Sequence, residues 1–134
     1  MADKKSFDRG MKILKKMGRE KLMLNQKEVY PEMYEMSVAH LFGDVWARPG
    51  LSLRDRQLVT LAANIALARS SGNYSHYLSA MHLGITREEI YEIMIQVGHY
   101  AGWPAMTHAV RQFAAVLEER ELIRKGKKKK STLL

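Results

Sequence analysis

The chain has 134 residues, no cysteine and a net charge of +8, which fits one domain with a modest apolar core and excludes disulfides, thiolate metal sites and thiol redox chemistry. Its charge lies at the ends: residues 1–22 hold eight Lys or Arg against three acids, residues 124–134 hold six against none, and residues 23–123 hold eight against eleven. A nucleic-acid-binding domain carries its basic stripe on a folded face, so no specific nucleic-acid partner is expected.

The chain reads as helix throughout. Phe7, Met11, Leu14 and Met17 recur at helical spacing with lysines between them, an amphipathic first helix that extends toward Lys21 and Leu22. Pro31 opens the next helix, whose apolar face runs through Met33, Tyr34, Val38, Leu41, Phe42, Val45 and Trp46 to the break at Arg48-Pro49-Gly50. Ser52 reads as an N-cap with Asp55 in the first turn behind it. Leu58–Leu67 is apolar except for Thr60 and Asn64, as expected of a central helix shielded on every side and the most buried element. Ser70-Ser71-Gly72 marks a break, and the segment from Asn73 ends at Gly84 as its C′ residue. Thr86 and Glu89 form a capping box for a helix over Arg87–Tyr100. Gly102-Trp103-Pro104 turns into a last helix with Val110, Phe113, Ala114 and Leu117 on its stripe. No segment alternates with period two. The fold class is therefore all-α, about six helices in one domain over residues 1–123, followed by a solvated basic tail at 124–134 that is dispensable for folding.

No apolar run has the length of a membrane span, and MADKKSFDRG carries charges where a signal peptide is apolar. A soluble, cytoplasmic protein without a membrane partner is expected. Nine methionines and six tyrosines, many on helix faces, suit adaptable contact surfaces and point to self-association. The histidines His40, His76, His82, His99 and His108 do not fall in ligating pairs: His76 and His82 are too far apart for one helix face, and Pro104 separates His99 from His108. No metal site is expected.

Two motifs stand out, FGDVWARPGLSLRDR over Phe42–Arg56 and YAGWPAM over Tyr100–Met106. Together they resemble the carboxymuconolactone decarboxylase family, which carries a similar G-[ED]-V-W-x-R-P-G-L-x-x-R-x-R run and a later Y-x-G-x-P-A turn; the resemblance spans roughly Phe7 to Leu117. It implies an alkyl hydroperoxidase D-like helical fold, a homo-oligomer (trimer or hexamer) with sites near subunit contacts, and cofactor-free decarboxylation in the catabolism of aromatic compounds. The wider family also includes hydroperoxidases that use a glutamate, a C-x-x-C pair and a histidine. On this chain those positions fall on Gln57, Arg69, Gly72 and His76, so only the histidine is kept. Peroxidase or peroxiredoxin activity needs a thiolate and is not expected. Decarboxylases of the family often carry a glutamate near the histidine, where this chain has Ser70–Ser75 without an acid.

The implied chemistry is loss of CO2 from a small anionic lactone or keto acid. It needs a cation for the substrate carboxylates, a donor to the developing oxyanion and a proton source. Arg48, Arg54 and Arg56 suit the first as guanidinium forks, and Tyr74 or Asn64 suits the second. His76 suits the third, because imidazole titrates near neutral pH. Trp46, Gln57, Asn73 and Tyr100 complete the expected lining, with His76 and Tyr74 as the catalytic pair. The alternatives are a non-catalytic or repurposed member that binds a small molecule in biosynthesis, and a structural oligomer that docks through its basic ends.

Overall fold

Asp3 starts the first helix: its carboxylate accepts the N–H of Ser6 at 3.0 Å, satisfying one of the donors every helix leaves unpaired at its start. Helix α1 (Lys4–Lys16) stops earlier than its apolar pattern suggests. Gly18 adopts φ +68°, and the N–H groups of Gly18 and Arg19 turn back to Lys15 and Leu14, a Schellman closure. A 3-10 turn at Lys21–Met23 and a short α2 (Leu24–Val29) follow, so the expected extension to Leu22 is corrected by one left-handed glycine. Helix α3 (Pro31–Met36) begins at its proline and runs on into a π-helical stretch, Ser37–Trp46. The computed structural model describes residues 2–69 and 71–126, and among them are seven α-helices and no strand. Most of the expected basic tail lies outside the described residues. Contacts gather into two compact units, Met1–Arg56 and Gln57–Leu134.

In the first unit α1 packs on the π-helical stretch, and the crossing is made by two glycines. A Cβ on Gly10 would overlap the carbonyl oxygen of Val38, and one on Gly43 would overlap the carbonyl oxygen of Ser6. The backbones touch because neither position has a side chain. Polar bonds clamp the rim of this contact: the Arg9 guanidinium donates to the Gly43 carbonyl and, at 2.6 Å, to Asp44, which also accepts from the Ser6 hydroxyl at 2.8 Å. Ser6 first, then Arg9 and His40, hold the Asp44 carboxyl below its ordinary range. Leu14, Val38 and Phe42 are buried, and Phe7 meets Tyr34 edge-on at 6.2 Å.

Helix α4 (Leu53–Ala66) begins under Ser52, whose hydroxyl accepts the N–H of Asp55 at 3.0 Å, and it passes into the second unit at Gln57. It closes at Ala68, which takes φ +49° without being glycine. Helices α5 (Asn73–His82), α6 (Arg87–Ala101) and α7 (Trp103–Arg124) complete the second unit. Gly84, at φ +86°, ends α5, and the Thr86–Glu89 capping box starts α6 with both reciprocal bonds, 2.8 and 3.1 Å. The core joins Leu61 and Ile65 of α4 to Tyr77 and Ala80 of α5, Ile90 and Met94 of α6, and Ala109, Phe113 and Val116 of α7. Tyr77 stacks on Phe113 at 4.9 Å.

Two expectations change here. Helix α4 buries one stripe, Gln57, Leu61 and Ile65, while Val59 and Leu67 are 60% and 63% exposed. The helix with the most buried positions is α5, whose Asn73, Tyr74, Ser75, Tyr77, Ser79 and Ala80 are all inside. Apolarity all round α4 did not distinguish a face covered within the chain from one left open. On α7 the buried stripe includes Ala105, Ala109, Phe113 and Val116; Phe113 is on the expected row, Leu117 packs against the core, and Val110 and Ala114 are exposed.

The glycine crossing gives a direct test. Gly10→Ala should destabilise the protein in urea unfolding by about 1–3 kcal/mol, because the new methyl meets backbone that cannot yield. Gly50→Ala, where a Cβ would meet nothing within 4 Å, should stay within about 0.5 kcal/mol of the parent.

Candidate functional site

Gly72, at φ +84°, turns the chain into α5, so that Asn73 begins the helix. Residues 73, 76, 77 and 80 then share one side of it by the i, i+3, i+4, i+7 rule. From that side the Nδ1 of His76 lies 3.2 Å from the Nε2 of Gln57 on α4, a contact between residues 19 apart in sequence. Gln57 is fully buried and His76 is half-buried. Asn64 lies two turns further along the Gln57 side of α4 and is half-buried.

This region holds several buried polar atoms with no hydrogen-bond partner among the described residues: Oε1 of Gln57, both side-chain heteroatoms of Asn73, and the hydroxyl of Tyr77. Such atoms cost about 1–3 kcal/mol each when left unmet, and native proteins keep few of them. Three side chains with this property on α4 and α5, next to a histidine, mark a place built for hydrogen bonding. No group of three or more His, Cys, Asp or Glu able to hold a metal occurs among the described residues.

Not every expected residue joins this group. Tyr74 was paired with His76, but two residues apart on a helix they point to nearly opposite sides, and Tyr74 packs in the apolar core. Tyr100 is at the end of α6 and 84% exposed in the single chain. In the first unit, Trp46 is buried, tilted against Phe42 with ring centroids 6.0 Å apart. The Arg56 guanidinium donates to the carbonyl of Arg48 at 2.9 Å, Arg48 is exposed, and Arg54 is half-buried in the first turn of α4.

Tyr77 is among the hydroxylic residues that the sequence places near His76, but the sequence gives it no role in the site. Its ring has an ordinary place in the core, and only its hydroxyl is out of keeping there. Burial pushes its phenol well above the usual tyrosine range. The available signal was Asn73 and Tyr77 at i, i+4 around His76, which puts three polar groups on one side of a helix.

The chain is thus an all-α protein whose candidate site centres on a histidine of one helix held by a carboxamide from another. The model of the carboxymuconolactone decarboxylase family matches residues 31–115, and the chain belongs to that family. It is similar to a 4-carboxymuconolactone decarboxylase of Acinetobacter baylyi, 27% identical over 123 residues that cover 89% of this chain and 92% of the relative. It is also similar to a nitrosuccinic acid decarboxylase of Metarhizium robertsii, 30% identical over 108 residues that cover 78% of this chain and 76% of the relative. Both relatives are named as decarboxylases of different acids.

The Tyr77 hydroxyl yields a prediction with a defined sign. The folded phenol keeps its proton above the pH, about 10, at which an unfolded tyrosine ionises. Its contribution to stability is therefore complete below pH 10 and is lost as pH rises from there toward the folded-state value. Tyr77→Phe should be neutral or stabilising at pH 7, since it removes an unmet hydroxyl. It should also lessen the fall in stability between pH 8 and pH 11, measured by urea unfolding of both proteins.

Proposed function

We propose that this protein is a cofactor-free carboxy-lyase acting on a small anionic lactone or keto acid, with His76 as its proton donor. The observation that carries the reading is the contact of His76 with buried Gln57 beside the unmet amide of Asn73. Membership of the family, and two relatives named as decarboxylases, support the reaction class. In this reaction the bond between the carboxylate carbon and its neighbour breaks, CO2 leaves, and the electron pair stays on the substrate. An adjacent unsaturated carbonyl spreads that pair as an enolate-like oxyanion, to which the Asn73 amide donates a hydrogen bond. His76, charged as imidazolium, then delivers a proton to carbon and recovers one from solvent. Arg48, Arg54 and Arg56 are assigned the substrate carboxylates on their chemistry and their place in the motif.

A second reading has one observation in its favour: position 57 is a neutral glutamine, and residues 70–75 carry no acid. A member repurposed to bind a small molecule would keep the hydrogen-bonding groups without needing a proton relay.

Loss of the lactone chromophore, followed in the ultraviolet with 4-carboxymuconolactone and related unsaturated keto acids, separates the two. The wild type should turn over at least one of them, and His76→Ala should slow it by about 100-fold or more. Tight binding without turnover would establish the second reading instead.

The assembly expected from sequence is also part of this proposal. Val29, Met36, Val59, Leu67, Tyr100 and Trp103 are each at least 60% exposed in the single chain, apolar side chains that contacts between copies would cover. Light scattering at micromolar concentration should return a trimer or hexamer, and a monomeric mass would refute the assembly.

A further inference from the structure

Gln57 presents its amide nitrogen, and not its oxygen, to His76. Nε2 of Gln57 stands 3.2 Å from Nδ1 of the imidazole, while Oε1 is the buried half of the amide with no partner among the described residues. An amide nitrogen donates and cannot accept. Nδ1 must therefore offer its lone pair, and a neutral imidazole that accepts at one nitrogen carries its hydrogen at the other. We infer that Gln57 is a positioning residue that fixes neutral His76 as the Nε2–H tautomer, so that the ring hydrogen sits on Nε2.

Position 57 thereby decides which end of the ring works. A carboxylate there would accept from Nδ1–H, leave Nε2 as a lone pair and make the histidine a base toward its ligand. The carboxamide does the reverse and leaves the neutral ring a hydrogen-bond donor, not a base, toward its ligand. A neutral N–H donor fits a ligand group that gains negative charge on oxygen, such as the carbonyl of an unsaturated acid becoming an enolate. It does not fit a group that must give up a proton. Burial strengthens the selection. Turning the amide over would put two N–H donors in place of one unmet carbonyl oxygen, in surroundings where Gln57 is fully enclosed.

The inference takes its functional meaning from the reading of His76 as a proton donor, but its test does not depend on turnover. Long-range 1H–15N correlation spectra distinguish the two ring nitrogens of each histidine, and His76→Ala identifies the signals of His76 among the five. At a pH where imidazole is neutral, the ligand-free wild type should show the Nε2–H pattern for His76. Gln57→Glu should reverse it to Nδ1–H, a change that a merely space-filling role would not produce. The Gln57 side-chain NH2 in the wild type, in turn, should lose its protection from solvent exchange in His76→Ala, a readout that does not require the buried glutamate variant to fold. A wild-type Nδ1–H pattern, an unchanged tautomer in folded Gln57→Glu, or unaltered amide exchange in His76→Ala would each overturn the inference. Failure of the decarboxylation assay with the expected tautomers present would instead count against the reaction alone.

Discussion

Complete burial of a carboxamide at Gln57 is the constraint around which the candidate site is organised. A primary amide removed from water costs several kcal/mol unless its groups are bonded, and the Leu61–Ile65 stripe of the same helix offers it nothing polar. The His76 ring meets one of its donors and ties α5 to α4 at that point. Helical spacing then carries Asn73 and Tyr77 to the same side of α5, together with their unmet polar atoms. A leucine at 57 would suit the core better and would remove the reason for the histidine to face that way. The second unit therefore keeps a local cost in its core, as proteins do where binding or chemistry is needed.

The first unit depends on a constraint of another kind. The crossing of α1 with the π-helical stretch relies on the absence of side chains at Gly10 and Gly43, and the polar clamp of Ser6, Arg9 and Asp44 forms at its edge. Those bonds are exposed and each contributes little. The close approach of two backbones fixes the geometry, and the ion pair follows from it. The same local logic ends α1 at Gly18 and α5 at Gly84, where glycine reaches left-handed backbone at no steric cost. Ala68 closes α4 in the same conformation without that freedom.

What was legible in the sequence follows this division. Signals confined to one turn were readable: the Thr86–Glu89 box, the Ser52 cap, Pro31 at a helix start and Gly84 at an end each depend on neighbours within a few residues. Features that depend on what covers a face were not. The α4 run from Leu58 to Leu67 is apolar on all sides, yet Val59 and Leu67 are open in the single chain. On α7, Ala105 and Ala109 are buried although no hydrophobicity count would single them out. For the site, Gln57 and His76 are 19 residues apart, beyond any helical pattern, so only the family resemblance connected them. The unmet atoms of Asn73 and Tyr77 come from tertiary burial, which residue types alone do not disclose. Spacing alone places Tyr74 and His76, two residues apart, on nearly opposite sides of a helix.

A neutral residue at position 57 is compatible with the proposed reaction for a chemical reason. A substrate carboxylate at neutral pH has already lost its proton, so release of CO2 requires no base. It requires an acceptor for the electron pair and, later, a proton at carbon. A glutamate beside the histidine would serve a reaction that begins by removing a proton, as when a thiol is activated, and this chain has no thiol to activate. Replacing that acid by an amide gives up the base and retains the hydrogen bond that orients the ring. The absent cysteines belong to chemistry that starts from proton removal, whereas the groups retained around His76 suit chemistry that ends with proton delivery.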